Sequence, residues 1–260
     1  MLRLTTFGDL LLDVIVRAES ALVPGDDLPV LTTTGPGGQA ANVAAWAAEL
    51  GAAARFVGRI GADAAGELVA GALRARGVDV CGPVAGRNGV VVSIAAGGDR
   101  TMASDRGTGA ELAPQDLDPA WFDCDVLHVS GYALHDEPMA SATQAAVAYA
   151  RAHNARISFD VSAWTLVDDA FRERLRALAP ELVFANERER DAVGELATRW
   201  IVKRGARGLV VDGVEHDALP ADVVDTTGAG DALAAGFLVG GAELALATAA
   251  RCCSAAGAMP

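Results

Sequence analysis

The sequence is poor in lysine, in paired cysteine motifs and in long apolar runs. Lys203 is the only lysine among 21 basic residues, and 34 acidic residues give the 260-residue chain a net charge of −13. A chain this acidic is a poor general binder of nucleic acids, because neutralisation of phosphate charge dominates such binding. The four cysteines show no CxxC spacing, which favours reduced thiols over a metal site or disulfide bonds.

Signals for membrane insertion or export are also missing. No apolar run reaches the roughly 18 residues that a membrane span needs, and the longest, residues 232–242, stops at Glu243. The first apolar stretch contains Asp9 and Asp13 and lacks a cleavage pattern, so we expect no signal peptide. With 52% hydrophobic and 21% charged residues, the composition is that of a globular chain. These observations predict a folded, cytoplasmic protein.

Several common catalytic signatures do not occur. The P-loop pattern is excluded because the single lysine is followed by Arg204 rather than by Ser or Thr. The HRDLxxxN and DFG motifs of protein kinases and the zinc-binding HExxH motif are absent. No GxGxxG follows the first predicted strand, which disfavours a dinucleotide-dependent oxidoreductase.

Apolar, β-rich runs alternate with alanine-rich helical stretches along most of the chain. This alternation is typical of parallel βαβ units, in which helices cover both faces of one sheet. The predicted helices occupy residues 39–50, 64–76, 138–153 and 169–178, and a last one begins near Gly230.

Four further strand-like runs have no helices between them, which predicts a small separate β-sheet on a single α/β domain. The last two flank a hairpin signal, Gly97-Gly98-Asp99. These runs occupy residues 11–16, 29–33, 90–95 and 100–103.

The most specific motif is the run DTTGAGDA at residues 225–232, which follows an apolar pair and opens a helix. Gly228 and Gly230 with a small residue between them leave backbone N–H groups open at the helix N-terminus, which favours binding of an anion such as a phosphate. Asp231 would repel a phosphate, but its carboxylate suits a general base that deprotonates an attacking hydroxyl. The alternative is a plain glycine-rich turn between a strand and a helix.

A second motif, GPGGQAAN, occupies residues 35–42. Its paired glycines allow a ligand to approach the backbone closely, and Asn42 offers both a donor and an acceptor to a sugar hydroxyl. The alternative is an ordinary loop-to-helix junction with Asn42 on the surface.

A third motif, Asn186-Glu187-Arg188-Glu189, follows the predicted strand at residues 182–185. Asn186 and Glu189 have the spacing of a helix capping box, which is a purely structural interpretation. The functional alternative is that the two side chains organise Mg²⁺ and its waters beside phosphate groups.

In this order the motifs resemble those of the ribokinase/PfkB carbohydrate-kinase family. The resemblance implies an α/β fold, a ribokinase-like three-layer αβα sandwich with a mostly parallel central sheet, and a β lid from roughly residues 10–34 and 88–104 of a single domain, 1–260. It also implies ATP-dependent phosphorylation of a sugar hydroxymethyl group. The matching segments are Gly8-Asp9 with Asp13, and residues 37–42, 57–63, 99–107, 128–134, 186–189, 203–208 and 225–231.

The resemblance also assigns roles to individual residues. Asp231 is the expected base, and the amides of Gly228, Ala229 and Gly230 are the expected anion hole. The expected sugar-binding residues are Asp13, Gly37, Gly38, Asn42 and Arg106. The expected nucleotide-binding residues are Asn186, Lys203, Gly205, Thr226, Gly228 and Gly230. Glu189 is expected to hold Mg²⁺ through water, and Asp225 a monovalent cation such as K⁺.

Four departures from the family pattern leave alternatives open. Residues 186–203, residues 208–225 and the end after Phe237 are short, in regions from which the family commonly builds its adenine pocket. After Asp160 the chain reads VSAW, where many sugar kinases have Pro-Asn and a nearby Arg. A nucleoside kinase of the same fold and a non-catalytic sugar-binding relative are therefore alternatives to an active sugar kinase.

The substrate is also open among ribose, fructose and keto-deoxy sugar acids. Arg106 either meets a substrate carboxylate, which would favour a sugar acid, or pairs with a carboxylate of the chain itself. The edge strands of a small lid sheet would suit a homodimer.

Overall fold

Two β-sheets form the framework of the protein. The structure is a computed structural model that describes residues 1–96 and 99–260. The described strands are β1 (Arg3–Phe7), β2 (Leu11–Ala18), β3 (Leu31–Gly37), β4 (Ala53–Val57), β5 (Asp79–Cys81), β6 (Gly89–Ala96), β7 (Asp99–Asp105), β8 (Val126–Ser130), β9 (Arg156–Asp160), β10 (Leu182–Asn186), β11 (Arg199–Lys203), β12 (Leu209–Val211) and β13 (Val214–His216). The described α-helices are α1 (Gln39–Glu49), α2 (Ala64–Ala75), α3 (Tyr132–His135), α4 (Met139–Ala152), α5 (Asp169–Leu178), α6 (Glu187–Val193) and α7 (Ala229–Cys253).

The larger sheet has nine strands in the order β13-β12-β11-β10-β9-β8-β1-β4-β5. The strands from β5 to β11 in this order run parallel, and β12 and β13 add an antiparallel edge. All five residues of β8 are buried, as expected for a parallel strand that is covered on both faces.

Helices pack on both faces of this sheet. One face carries a core in which α1, α2 and α7 contribute Trp46, Leu73 and Leu238. The other face carries a second core in which Val147 of α4 and Phe171 of α5 meet the sheet. This arrangement confirms the predicted three-layer αβα sandwich with a mostly parallel sheet.

The smaller sheet has the order β3-β2-β6-β7, with β2 and β6 parallel and the outer pairs antiparallel. It contains the four runs that were predicted to lie outside the βαβ pattern. β3 extends to Gly37 instead of stopping at residue 33. Pro36 is tolerated because β3 is an edge strand, where a missing N–H leaves no ladder bond unmade. The turn predicted at Gly97-Gly98-Asp99 falls on residues 97 and 98, outside the described part of the chain. The single-domain boundaries and the function of this sheet as a lid stay predictions.

The starts of the helices follow local side-chain chemistry. Asp63 accepts a hydrogen bond of 2.9 Å from the Gly66 amide at the start of α2, and Asp168 accepts one of 2.7 Å from Phe171 at the start of α5. By contrast, α1 and α7 begin at Gly38 and Gly228, which have φ angles of 97° and 77° and supply no side-chain cap. The residue before each of these two helices therefore provides no side-chain acceptor for the first helical amides.

Of the described helices, α7 is the one that is long and apolar enough to cross a membrane. Half of its apolar window is buried inside the protein, and its backbone leaves the helical conformation at Gly240 and Gly241. Leu233 and Leu246 on either side of this break pack into the core of the large sheet. We therefore interpret α7 as a core helix.

His128 of β8 is fully buried, and its Nδ1 atom lies 2.9 Å from Ser158 Oγ. Burial lowers the pKa of the imidazole to about 4, because the neighbouring Lys203 adds to the desolvation penalty and Asp160 only partly offsets it. The unfolded chain takes up this proton near pH 6.5, whereas the folded chain does so only near pH 4. The contribution of His128 to stability is therefore present above pH 6.5 and is lost as the pH falls towards 4.

We expect the free energy of unfolding to fall between pH 7 and pH 4.5 by about 2–3 kcal/mol more in the wild type than in His128→Gln. Urea unfolding of both proteins at the two pH values measures this difference. An equal loss of unfolding free energy in the two proteins would show that protonation of His128 does not cause this pH dependence.

Candidate active site

The N-terminal ends of α1 and α7 meet at one point of the molecule. Asn42 Nδ2 of α1 donates a hydrogen bond of 2.7 Å to Asp231 Oδ2 of α7, although the two residues are 189 positions apart in the chain. Asn42 is buried and Asp231 is partly exposed. The structure thus brings together the predicted base and a predicted sugar-binding residue, from the two motifs at residues 35–42 and 225–232.

The surroundings of Asp231 raise the pKa of its carboxyl group to about 7. Desolvation is the largest cause, and the nearby Asp160 carboxylate adds to it. Hydrogen bonds from Asn42 and Gln39 and the charge of Lys203 oppose the shift. A carboxyl group with a pKa near neutrality accepts and releases a proton readily, which is the property a general base requires.

The loop before α7 has an anion-binding shape. Gly228 has a left-handed φ of 77°, and a Cβ atom added there would lie 2.6 Å from Ala258, so a larger residue does not fit. Gly230 and Asp231 occupy the second and third positions of α7, whose amides have no carbonyl partner within the helix. The Ala229 amide, which was predicted to belong to the anion hole, instead donates to the Thr226 carbonyl at 3.3 Å. In this conformation the Ala229 amide is part of the turn that precedes α7.

A cavity of about 590 Å³ opens beside this loop. Its lining is largely apolar and comes from residues 203–253. Four of the six predicted nucleotide-binding residues line it, whereas Asn186 and Gly228 do not. The four are Lys203, Gly205, Thr226 and Gly230. Further lining residues include Leu219, Pro220, Leu246, Ala250 and Cys253.

Lys203 lies between this cavity and the core. Its Nζ atom donates a hydrogen bond of 2.7 Å to Asp160 Oδ2, and a Cβ atom added at Gly230 would lie 3.5 Å from the same Nζ atom. The Asp160 side chain is completely buried and that of Lys203 is 15% exposed. Burial alone would lower the pKa of Lys203, but the Asp160 and Glu189 carboxylates outweigh burial and raise it. A fixed positive charge therefore lies directly beside the start of α7.

Asn186 and Glu189 form the capping box that their spacing predicts. The Glu189 carboxylate accepts bonds of 2.7 Å from the backbone N and from Nδ2 of Asn186, and Asn186 Oδ1 accepts one of 2.9 Å from the Glu189 amide. Glu189 is buried, and burial raises its pKa. Across residues 1–96 and 99–260, no group of three or more His, Cys, Asp or Glu side chains is arranged to hold a metal. A single carboxylate suits a Mg²⁺ ion that is held mainly by water and phosphate oxygens.

Arg106 pairs with Asp9 rather than facing an open pocket. Its Nε and Nη2 atoms donate bonds of 2.8 and 3.1 Å to the two oxygens of Asp9, whose side chain is 6% exposed. This bidentate geometry neutralises the guanidinium group. Of the two alternatives for Arg106, the structure has the pair with a carboxylate of the chain itself, that of Asp9.

The two glycines before α1 are packed tightly against the substrate side of the site. A Cβ atom added at Gly37 would lie 2.2 Å from the Asp13 carboxylate, and one at Gly38 would lie 2.4 Å from the Asp9 carbonyl oxygen. Beside them, Asn42 Oδ1 is buried and has no hydrogen-bond partner among the described residues. An unsatisfied buried acceptor of this kind is suited to a hydroxyl group of a ligand.

The Asp225 carboxylate is engaged within its own loop. Oδ1 accepts bonds of 2.9 and 2.6 Å from the amide and hydroxyl of Thr227, and Oδ2 accepts one of 3.3 Å from Gly257. Arg17 of β2 lies 3.8 Å away from Oδ2. These contacts hold the loop in shape and give no support to the predicted K⁺ site.

The comparisons with known proteins agree with this geometry. Residues 1–259 match the pfkB family carbohydrate kinase profile, and the chain belongs to this family of carbohydrate kinases. Fructokinase of Klebsiella pneumoniae is 30% identical over 92% of this chain and 84% of the relative. The 5-dehydro-2-deoxygluconokinase of Geobacillus kaustophilus is 26% identical over 78% of this chain and 72% of the relative.

Solved structures show the same fold. Adenosine kinase from Sinorhizobium meliloti superposes with a TM-score of 0.86 at 26% identity, covering 100% of this chain and 96% of that one. A putative ribokinase II from E. coli superposes with a TM-score of 0.88 at 23% identity, covering 100% and 95%. The fold is therefore ribokinase-like, and the protein is a carbohydrate kinase.

Proposed function

We propose that this enzyme transfers the γ-phosphoryl group of ATP to a hydroxymethyl group of a small neutral sugar of the fructose or ribose class. The observation that carries the proposal is the Asn42–Asp231 hydrogen bond at the open N-terminus of α7. It places a carboxylate with a pKa near neutrality beside amides that suit a phosphate.

Asp231 takes the proton from the attacking hydroxyl in this scheme. Asn42 Nδ2 holds the Oδ2 atom of this carboxylate in place. The unsatisfied Oδ1 atom of Asn42 accepts a hydrogen bond from a sugar hydroxyl and orients the ring. Phosphoryl transfer depends mainly on such positioning and on neutralisation of charge, rather than on covalent catalysis.

The start of α7 and Lys203 supply the positive potential that faces the transferred group. The amides of Gly230 and Asp231 and the helix dipole attract phosphate oxygens, and the Lys203 ammonium lies beside them. Bound with the nucleotide, Mg²⁺ neutralises phosphate charge. Glu189 is the residue proposed to hold it, through water. The cavity next to Lys203 is the proposed site of the nucleoside part of ATP.

The charges around the predicted sugar-binding residues favour a neutral substrate. Asp9 neutralises Arg106, the side chain that would otherwise recognise the carboxylate of a keto-deoxy sugar acid. The Asp13 carboxylate lies against Gly37 in the same region and would repel an anionic sugar. The similarity to bacterial fructokinases supports the same choice.

An ADP-release assay with Mg-ATP tests the substrate class. The panel contains fructose, ribose, 2-keto-3-deoxygluconate, ribose 1-phosphate and adenosine at equal concentrations. We expect turnover with a neutral sugar at a kcat/KM at least tenfold above that of either anionic sugar. Preferential turnover of an anionic sugar would contradict the neutral-substrate proposal, and turnover of none would contradict the proposal as a whole.

A nucleoside acceptor is the second candidate, and Tyr132 is the observation that favours it. Its side chain is 38% exposed. Burial raises the pKa of its phenol, and the Asp231 carboxylate adds to the shift, so the ring lies close to the proposed base. An aromatic ring there offers a stacking surface for a nucleobase. A higher kcat/KM for adenosine than for any sugar would establish this alternative.

The pH dependence of kcat/KM follows from the raised pKa of Asp231. A base must be deprotonated to act, so activity is low below its pKa and rises as the pH passes it. Because that pKa is about 7, we expect kcat/KM to reach half of its plateau near pH 7. Initial rates between pH 5 and pH 9 at low sugar concentration measure this. Full activity at pH 5 would contradict Asp231 as a base that titrates near neutrality.

We also propose that the four-stranded sheet closes over the sugar as a lid. Through the same sheet, two chains would form a homodimer, and we propose that the enzyme works in the cytoplasm. The strands of this sheet carry exposed apolar residues, among them Leu31 and Met102, which suit a covered surface. Light scattering that gives a monomer mass would contradict the homodimer.

A further inference from the structure

Gln39 is a residue of the second motif to which the sequence assigned no function. We propose that Gln39 is a positioning residue for Asp231, and that its side-chain amide, oriented by Ser130 and Ser162, holds the carboxylate together with Asn42. This inference rests on the proposed role of Asp231 as the base. Gln39 is the first residue of α1 and Asn42 is three positions later. Residues at this spacing share one face of a helix.

The orientation of the Gln39 amide is fixed by two hydroxyl groups. Ser130 Oγ donates to Gln39 Oε1 at 2.6 Å, and Ser162 Oγ donates to the same oxygen at 2.5 Å. The Gly131 amide donates to Ser162 Oγ at 2.8 Å, and the Ser162 hydroxyl lies closer to Gln39 Oε1 than to its second acceptor, the Asp160 carbonyl oxygen at 3.1 Å. Because the amide oxygen is occupied by two donors, the NH₂ group of Gln39 is directed away from the serines.

Gln39 lies on the same face of α1 as Asn42, whose Nδ2 atom donates to Asp231 Oδ2 at 2.7 Å. In the proposed arrangement the Gln39 NH₂ group is the second donor to this carboxylate, and Gln39 lowers the Asp231 pKa as Asn42 does. Two amide donors on one carboxylate restrict its rotation and stabilise its charged form where burial opposes that charge. Ser162 is itself held in place, because its amide donates to Asp160 Oδ1 at 3.0 Å and its φ angle is 72°.

Other charged and titratable groups around Asp231 stay unchanged when Gln39 is replaced. Asp160 of β9 and Lys203 of β11 act on the carboxylate from the central sheet. Tyr132 of α3 and Cys252 of α7 lie close enough to feel its charge. A change of the Asp231 pKa in a Gln39 variant is therefore attributable to the lost amide.

The test is a direct titration of Asp231 in wild type, Gln39→Met and Ser162→Ala. Proteins with ¹³C-labelled Asp carboxylates are titrated by NMR, and the Asp231 signal is assigned by its absence in Asp231→Asn. Methionine keeps the length of glutamine without its donors. We expect Gln39→Met to raise the Asp231 pKa, with a roughly tenfold change in the proton-binding constant. Ser162→Ala should shift it in the same direction by less.

The acid limb of kcat/KM should move to higher pH by the same amount in Gln39→Met. An unchanged or lower Asp231 pKa in both variants would overturn the inference. So would an increase in sugar KM without a pKa shift, since Gln39 would then be a substrate contact. If Gln39→Met does not fold, Ser162→Ala decides, because it leaves Gln39 in place without one orienting hydroxyl.

A failure of the proposed function can be distinguished from a failure of this inference. If Asp231→Asn retains full kinase activity, Asp231 is not the base, whereas the NMR titration still reports whether Gln39 holds its carboxylate.

Discussion

Replacement of Asp231 by Asn is expected to lower kcat by a factor of about 10²–10⁴. Asparagine keeps the shape of the side chain and can still accept the 2.7 Å hydrogen bond from Asn42 Nδ2. It has no charge and cannot take up the proton of the attacking hydroxyl. The KM values for the sugar and for ATP should change little, because the pocket keeps its shape.

Steady-state kinetics of the two proteins at pH 8 measure this effect. Asp225→Asn is a useful comparison, because Asp225 lies in the same motif but accepts hydrogen bonds from Thr227 of its own loop and from Gly257, which follows α7. We expect Asp225→Asn to retain much more kcat than Asp231→Asn. Equal losses in the two variants would indicate that Asp231 acts only by shaping the loop.

Loss of the Lys203 charge is expected to destabilise the protein by about 3–5 kcal/mol, because it leaves a buried carboxylate without its partner. Asp160 is completely buried, and its bond to Lys203 Nζ is 2.7 Å long. Urea unfolding of Lys203→Met measures the loss. The matched control on the same strand is Arg199→Met, which breaks an exposed pair with Asp212. That control should change stability by no more than about 1 kcal/mol.

The double variant Asp160→Asn/Lys203→Met separates stability from catalysis. It removes both charges, so we expect it to recover much of the lost stability. The double variant should not recover kcat or the KM for ATP, because both it and Lys203→Met lack the ammonium group beside Gly230. Recovery of full activity in the double variant would show that Lys203 serves the fold and not the transferred phosphoryl group.

A cavity remains in the region where the resemblance to the family predicts the adenine pocket. Residues 203–253 enclose a cavity of about 590 Å³ next to the start of α7. Most of its lining side chains carry no hydrogen-bonding group, so contacts with a base in this cavity would be largely apolar. The sequence alone predicted weaker nucleotide binding as one alternative because it shows the length of a segment but not the space that it surrounds.

The sequence predicted the elements whose residues are close together in the chain. Asn186 and Glu189 are three positions apart, and their capping box was predicted as the structural alternative. The alternation of strands and helices predicted the three layers, because each element is long enough to show its period. β5 and β13 were missed because they contain three residues each.

Pairings between distant residues were not predictable from one sequence. Asp160 and Lys203 are 43 positions apart, and Asp9 and Arg106 are 97 apart. No local pattern links such residues, and their contact follows from the strand order of the sheets. For the same reason, Asp160 and Gln39 were absent from the predicted site. The single lysine at the end of a buried strand was the available signal, since a buried ammonium requires a carboxylate partner.

The most direct test of the central claim is the stoichiometry of the reaction, followed by ³¹P NMR with Mg-ATP and the best neutral sugar of the panel. We predict that ADP and a sugar phosphomonoester on a primary hydroxyl appear in equal amounts, and that Asp231→Asn forms both about 10²–10⁴ times more slowly. Release of ADP and inorganic phosphate without a sugar phosphate, or equal product formation by Asp231→Asn, would contradict an enzyme in which Asp231 activates a sugar hydroxyl.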